Sequence, residues 1–337
     1  MYSSRDDSQP MTRTLQTSLR SWPLKEPFAI SRGVQTTSDV VVAEISQDGK
    51  TGMGEAVGVD YAGETPTGLR AQIESVRSAI EDGADRQQLL KLLPAGGARN
   101  ALDGALWDLE AKLTGTRAWQ RAGVPSGGPI TSAFTIGIRA LDAYESKARE
   151  LRAYRWIKIK VDAEDPLACV AAVRRGAPDA QLVVDPNQAW SVPQLREFAP
   201  RLAELGVYLL EQPVAVDADD ALIDFDSPVP ICADEAVNTI EDLAHLRGRY
   251  DFINIKLDKT GGLTTALELA QAATAQGFRL MVGCMVGGSV AMAASMVLGE
   301  LCEVCDLDGP LLQAEDWPGG IVYNNGVMSP PWPQFWG

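Results

Sequence analysis

Eight short apolar runs, at 132–136, 156–161, 182–185, 207–211, 230–234, 252–256, 280–284 and 304–308, alternate with helical segments through the second part of the chain. Each is too short for a buried helix, and most are too apolar for a strand with one wet face, the pattern of strands covered on both sides. A strand recurring at about two dozen residues has room for one crossover helix per repeat. Eight such units predict a closed parallel barrel. An open doubly wound sheet has neither a G-x-G-x-x-G nor a P-loop here to support it.

Charge enters these runs at one place, their C-terminal ends: Lys158 and Lys160, Asp185, Glu211, Asp234, Lys256, and Asp306 with Asp308. In parallel barrels that end carries the active site, so these side chains form a ring around one mouth. Lys158 and Lys160 share a face of their strand by the period of two. Two adjacent ammonium groups in a buried strand require anions beside them or loss of a proton. Taken alone, the hexapeptide 156–161 reads equally well as an edge strand whose lysines face water.

Asp185, Glu211 and Asp234 close three consecutive strands, and hard oxygen donors without sulfur or imidazole suit Mg²⁺ better than zinc. Lys160 and Lys256 come from opposite sides of the barrel, with the three acids between them. That arrangement removes a proton alpha to a carboxylate, through an enediolate, and returns one from the other face. A lysine acting as base near neutral pH must fall from about 10.4 to roughly 7–8, and Lys158 is a neighbouring cation that lowers Lys160. Asp306 and Asp308, two apart, fall on one strand face, where they grip a cationic group such as an α-ammonium, or form a second cation site or a structural pair. The chain has one histidine, His245, in an amphipathic stretch at 241–246, so mechanisms built on histidine have no candidate.

Ahead of the barrel, residues 15–54 read as strands, including 28–30 and 40–45 with a turn at 48–50, followed by helices over 72–80 and 101–113, with 100–109 strongly amphipathic. A Pro/Gly/Ser cluster at 125–129 marks the end of this α+β unit. The boundaries expected are a disordered tail over 1–12, a capping domain over 13–125, a barrel over 126–315, and a segment over 316–337 that returns to the cap. A formal charge of −15 argues against nucleic acid or an anionic membrane as partner. Five scattered cysteines read as reduced thiols of a cytoplasmic protein, and no stretch is long enough to span a bilayer. Self-association into a homo-oligomer is compatible with the sequence.

Lys158-x-Lys160, Asp185-Pro-Asn187, Glu211-Gln212-Pro213, Ala233-Asp234-Glu235 and the stretch from Asn254 through Lys256, Asp258 and Lys259 to Gly262 together resemble the muconate-lactonizing branch of the enolase superfamily. That superfamily is already known for a lysine or histidine base working with Mg²⁺. With Asp306-x-Asp308 at the eighth strand, the chain is similar to the dipeptide epimerases of that branch. The resemblance implies a (β/α)7β modified TIM barrel under an N-terminal α+β capping domain. It also implies Lys160 and Lys256 as the acid/base pair and Asp185, Glu211 and Asp234 as Mg²⁺ ligands. Lys158 lies by the substrate carboxylate, Thr135 and Cys284 line the pocket, and Asp306 and Asp308 hold the substrate ammonium. The expected activity is Mg-dependent inversion of the C-terminal residue of an L-Ala-X dipeptide. N-acylamino acid racemase, o-succinylbenzoate synthase, cycloisomerase and a catalytically silent ligand-binding barrel are the alternatives. In some Ala-Glu epimerases an arginine of the capping loop pairs with the substrate glutamate; here Gln35 stands at that place. Gly287 and Gly288 are expected to open space beside the pocket.

Overall fold

The computed structural model describes residues 13–31, 33–223 and 225–337. The expected tail over 1–12 lies outside them, as does Arg32 of the capping loop.

A long antiparallel hairpin, β1 (Thr14–Ile30) and β2 (Gly33–Gln47), is joined by β3 (Lys50–Ala56) into a three-stranded sheet. Its covered face places Leu15, Val41, Ala43 and Ile45 against helices α1 (Pro66–Ser75), α2 (Arg77–Glu81), α3 (Arg86–Leu92) and α4 (Gly97–Thr114). The helix expected over 72–80 is two helices, broken at Val76, where φ is −108° and ψ is 7°. The stretch over 100–109 is also not amphipathic. Nearly every side chain of α4 is buried, because one flank meets β3 and the other meets the barrel. Gly54 makes the first contact possible, since a Cβ there would stand 1.9 Å from Ala101 O.

After a short helix α5 (Ala118–Arg121) and strand β4 (Ile130–Thr131), eight parallel strands follow in spatial order of sequence. They are β5 (Phe134–Ile136), β6 (Trp156–Lys160), β7 (Gln181–Asp185), β8 (Val207–Glu211), β9 (Ile231–Ala233), β10 (Phe252–Ile255), β11 (Arg279–Gly283) and β12 (Val304–Asp306). Ser132 bridges to Cys305 and Ala133 N donates to Cys305 O at 2.7 Å, so first and last strands meet and the barrel closes. Helices α6 (Leu141–Glu150), α7 (Pro166–Gly176), α8 (Val192–Glu204), α9 (Leu243–Leu246), α10 (Leu257–Thr260), α11 (Leu263–Ala275) and α12 (Ser289–Gly299) fill the crossovers, with a 3-10 stretch (Val216–Leu222) between β8 and β9. The expected (β/α)7β barrel with an α+β cap is the architecture found. Ala133, Trp156, Val183, Leu209, Cys232, Phe252, Met281 and Val304 pack as one apolar layer, a residue for each strand or its lead-in, and plug the barrel interior.

Helix α13 (Gly309–Leu312) follows β12, and the hairpin β13 (Tyr323–Asn324) and β14 (Val327–Met328) pairs with β4. The final residues then reach the cap: Trp336 Nε1 donates to Met53 O at 2.9 Å and Gly337 N to Asp108 Oδ1 at 2.7 Å. The cap roofs the mouth at several points. Ile138 N donates to Ala29 O at 2.8 Å, Ser31 Oγ to Asn187 O at 3.3 Å, and Gly58 N to Asp258 Oδ1 at 2.8 Å. No helix among the described residues is long and apolar enough to cross a membrane. All five cysteines are free thiols.

Candidate active site

β6 lies between β5 and β7, so Lys158 and Lys160 are not edge lysines, and both are buried. Their charge is met from the neighbouring strand ends. Lys160 Nζ donates to Asp185 Oδ2 at 2.6 Å and to Asn187 Oδ1 at 2.8 Å. Lys158 Nζ donates to Glu211 Oε1 at 2.9 Å and Asp306 Oδ2 at 2.8 Å, and lies 3.0 Å from Asp185 Oδ2. On the far side Lys256 Nζ donates to Asp234 Oδ2 at 2.7 Å. Because β6 and β10 are four strands apart in a closed ring of eight, Lys160 and the residue that follows β10, Lys256, face each other across the mouth.

Three residues holding this array in place have left-handed backbones: Asn187 (φ 47°), Gln188 (φ 68°) and Gln212 (φ 36°), just past the ends of β7 and β8. Such strain persists where surrounding contacts over-determine it. Gln212 Oε1 accepts from Asp234 N and Ala236 N at 2.9 and 3.1 Å, and Asn187 N donates to Asp185 Oδ1 at 2.8 Å. Asn254 Nδ2 donates to Glu211 Oε1 at 2.9 Å. Gly283 leaves room for this arrangement, since a Cβ there would stand 2.7 Å from the Asn254 amide and 3.0 Å from Lys256 Cε.

Lys158 and Lys256 differ from the expectation of depressed lysines. Burial opposes the charge on Lys158, yet Asp306, Glu211 and Asp185 outweigh it and hold the ammonium well above its ordinary range. Burial likewise opposes the charge on Lys256, and Asp234 outweighs it. In both cases the paired carboxylates outweigh burial and any neighbouring cation. Burial also resists ionisation of Asp185 and Asp234, but Lys160 with Lys158, and Lys256 with Lys259, hold the two carboxyls below their usual range. Glu211 goes the other way, to about 7, through burial and the nearby Asp185 charge. Its Oε2 lies 2.7 Å from Lys158 Nζ but outside hydrogen-bonding geometry. A buried carboxylate oxygen without a hydrogen bond, among three all-oxygen donors, fits a hard divalent cation.

At the eighth strand, β12 ends at Asp306 and Asp308 is the residue preceding α13, so the pair is not carried by one strand face. Thr135 gathers it instead: its N–H donates to Asp308 Oδ2 at 2.6 Å and its hydroxyl to Asp306 Oδ1 at 3.2 Å. Burial and the Asp306 charge push Asp308 up to about 7. Cys284, half-buried one residue past β11, has its thiol pushed up by burial and by these two acids. Gly287 and Gly288 do not open the pocket. A Cβ on Gly288 would meet Trp317, Asp316 and Glu55 at 3.0–3.1 Å, and one on Gly287 would stand 2.9 Å from Ala291 Cβ, so these glycines allow close packing. Gln35 is exposed, on β2 opposite Phe28.

Sequence pattern assigns Lys259 no role, yet its side chain is fully buried and bonded to Asp234. A charged residue three positions after Lys256, on the first turn of a helix following the strand, was the available signal. Asp219, Asp220 and His245 also bring ligand atoms within 4.8 Å of one another. Arg249 already pairs with both of these acids, and Asp220 and His245 are exposed, so this is an ion-pair cluster.

Residues 142–331 match the family described as enolase C-terminal domain-like, and residues 12–123 match the N-terminal domain of mandelate racemase / muconate lactonizing enzyme. The L-Ala-D/L-Glu epimerase of Escherichia coli K12 is 41% identical, the match covering 94% of this chain and 99% of that protein. An N-acetyl-D-glutamate racemase of a Pseudoalteromonas species is 44% identical over 74% of this chain and 79% of its own. A solved enolase family member from Agrobacterium tumefaciens, with homology to dipeptide epimerases and bound sodium and L-Ala-L-Glu, superposes with a TM-score of 0.94 at 42% identity, covering 96% of this chain and 100% of that one. On fold, paired lysines, carboxylate ring and these likenesses together, the chain belongs to the dipeptide-epimerase-like family in the mandelate racemase/muconate lactonizing branch of the enolase superfamily.

Proposed function

We propose that this protein is a Mg-dependent isomerase that inverts the α-carbon of the C-terminal residue of L-Ala-X dipeptides by two-base 1,1-proton transfer. The observation that carries this reading is the pair of amines facing each other across the mouth, each on a carboxylate of the same three-acid ring. Asp185, Glu211 and Asp234 would hold Mg²⁺, which when bound would supply the Lewis acidity that makes the substrate's α-proton more acidic. Lys160 takes or returns the proton on one face of the α-carbon and Lys256 on the other. Lys158, tied to Glu211 and Asp306, sets positive charge beside the substrate carboxylate. Asp306 and Asp308, gathered by Thr135, accept hydrogen bonds from the dipeptide ammonium, and Cys284 lines the pocket beside them. The division of labour is a cap (13–125) that roofs the substrate, a barrel (126–315) that performs the proton transfer, and a terminal segment (316–337) that ties the two. Free thiols throughout suit a cytoplasmic location.

The test is isotope exchange in D₂O with Mg²⁺ and a library of L-Ala-X dipeptides. The native protein incorporates one deuterium at the C-terminal α-carbon and interconverts the epimers. Lys160→Ala and Lys256→Ala each lose interconversion and retain exchange of opposite epimers only. Exchange of both epimers at the native rate in both variants would refute the two-base assignment.

A second reading, racemisation of an N-acylamino acid, is favoured by the Pseudoalteromonas relative. It leaves no ammonium for the acid pair. Activity on N-acetyl amino acids that survives Asp306→Asn, with none on dipeptides, would select it.

A further inference from the structure

Lys259 is the one buried ammonium in this cluster that the proposed reaction does not use. Its side chain is wholly buried on α10, one turn beyond Lys256. It donates to Asp234 Oδ1 at 2.7 Å, to Asp234 O, and to Asn254 O at 3.2 Å. Three acceptors match its three N–H donors, so the head group is held without slack. The two bonds to Asp234 close on the side chain and backbone of a single residue, which fixes how that carboxylate is turned. Oδ1 is committed to Lys259, and Oδ2 alone is left toward the centre, where Lys256 bonds it. The other two acids of the ring are held differently. Asp185 Oδ1 accepts from the Asn187 N–H while Lys160 takes Oδ2, and Glu211 Oε1 is shared by Asn254 Nδ2 and Lys158 Nζ, whereas Lys259 grips both the side chain and the backbone of Asp234.

We infer that Lys259 is a positioning residue that keeps Asp234 a one-oxygen ligand and thereby selects a small divalent cation over a larger one. This rests on the reading of Asp185, Glu211 and Asp234 as a metal site. The physical reason is the difference between the two ions. Mg²⁺ takes a near-ideal octahedron of single oxygens, whereas Ca²⁺ accepts six to eight ligands and readily binds both oxygens of a carboxylate. With Oδ1 withheld by an ammonium, Asp234 cannot chelate, and the coordination a calcium-sized ion prefers is out of reach. Removal of the Lys259 ammonium has two consequences, one shared by the two ions and one that separates them. Extra negative charge tightens any cation, but the released oxygen benefits Ca²⁺ specifically, so the discrimination ratio isolates the positioning role from the charge.

The experiment is calorimetric titration of the full-length protein, stripped of metal, with MgCl₂ and with CaCl₂ alone, without substrate. Native protein, Lys259→Met, Lys259→Gln and Asp234→Asn are compared, with far-UV circular dichroism as the check of fold. The Kd ratio of Ca²⁺ to Mg²⁺ is expected to fall by at least ~10-fold in Lys259→Met, the scale on which residues behind a metal ligand act. Lys259→Gln, which supplies a neutral donor on a side chain one bond shorter, gives an intermediate value and serves if the Met variant does not fold. A ratio within twofold of native in a folded Lys259 variant overturns the inference while leaving the metal site standing. Native protein without Mg²⁺ binding, or Asp234→Asn with unchanged binding, overturns the metal reading and the inference with it.

Discussion

Lys158 touches Asp185, Glu211 and Asp306 from a fully enclosed position, so three carboxylates share one ammonium. Replacing it by Met is expected to destabilise the metal-free protein by about 3–5 kcal/mol, the usual cost of leaving a buried ion without its partner. Urea unfolding in EDTA measures this, and part of the loss should return on adding Mg²⁺ if the same acids bind it. Gly283 makes a sharper case for geometry. Gly283→Ala places a methyl group against Asn254 and Lys256 Cε, and a displacement of about 1 Å at a reacting group costs on the order of 10²-fold. A kcat loss of that size with KM within severalfold is expected; an unchanged kcat would show that Lys256 does not depend on that clearance.

At the scale of elements, the cap holds the barrel by capping its helices. Asp103 on α4 accepts from Thr264 N at 3.0 Å and from the Thr264 hydroxyl, at the first turn of α11. Glu55 on β3 accepts from Gly288 N, immediately before α12. Arg99 closes the opposite end of α10 through Gly261 O and Thr260 O. This explains the Gly261-Gly262 pair physically: φ is +75° and +118°, and a Cβ on either would stand 2.5 Å from Arg99 or Asp103. Burial pushes the Asp103 carboxyl up to about 6, against the hydrogen bonds of Thr264. A folded-state value above the unfolded one means stability fully present below about pH 4 and lost as pH rises through 6. The loss is on the order of 3 kcal/mol at most. Asp103→Asn should therefore flatten the difference in unfolding free energy between pH 4 and pH 7; an equal slope in both proteins would show that the carboxyl is not held up by burial.

At the scale of the whole molecule, a buried indole near the end of the chain links the cap to the barrel. Trp336 bonds β3 and packs in the barrel core cluster, so Trp336→Ala should cost about 3–5 kcal/mol, read as an earlier urea midpoint. If only the terminal residues loosened, the midpoint would stay in place. Much of this architecture was legible from the chain. The strand period and the charged strand ends require only local pattern, because a buried parallel strand must be apolar and the side that builds the site is fixed by handedness. What stayed illegible was everything that depends on which atoms meet across elements. Helix α4 reads as amphipathic because pattern cannot see that a second layer covers its polar face. Gly287 and Gly288 read as empty space because a missing side chain does not announce the neighbour that needs the gap. Asp308 reads as a strand residue because period two continues on paper past the point where α13 begins. Local pattern along the chain was enough for the barrel, the cap and the ring of charged residues at the strand ends. Only the tertiary structure decided which carboxylate oxygen each amine takes, since hydrogen-bond partners in a closed ring are set by strand register and cap contact rather than by spacing along the chain.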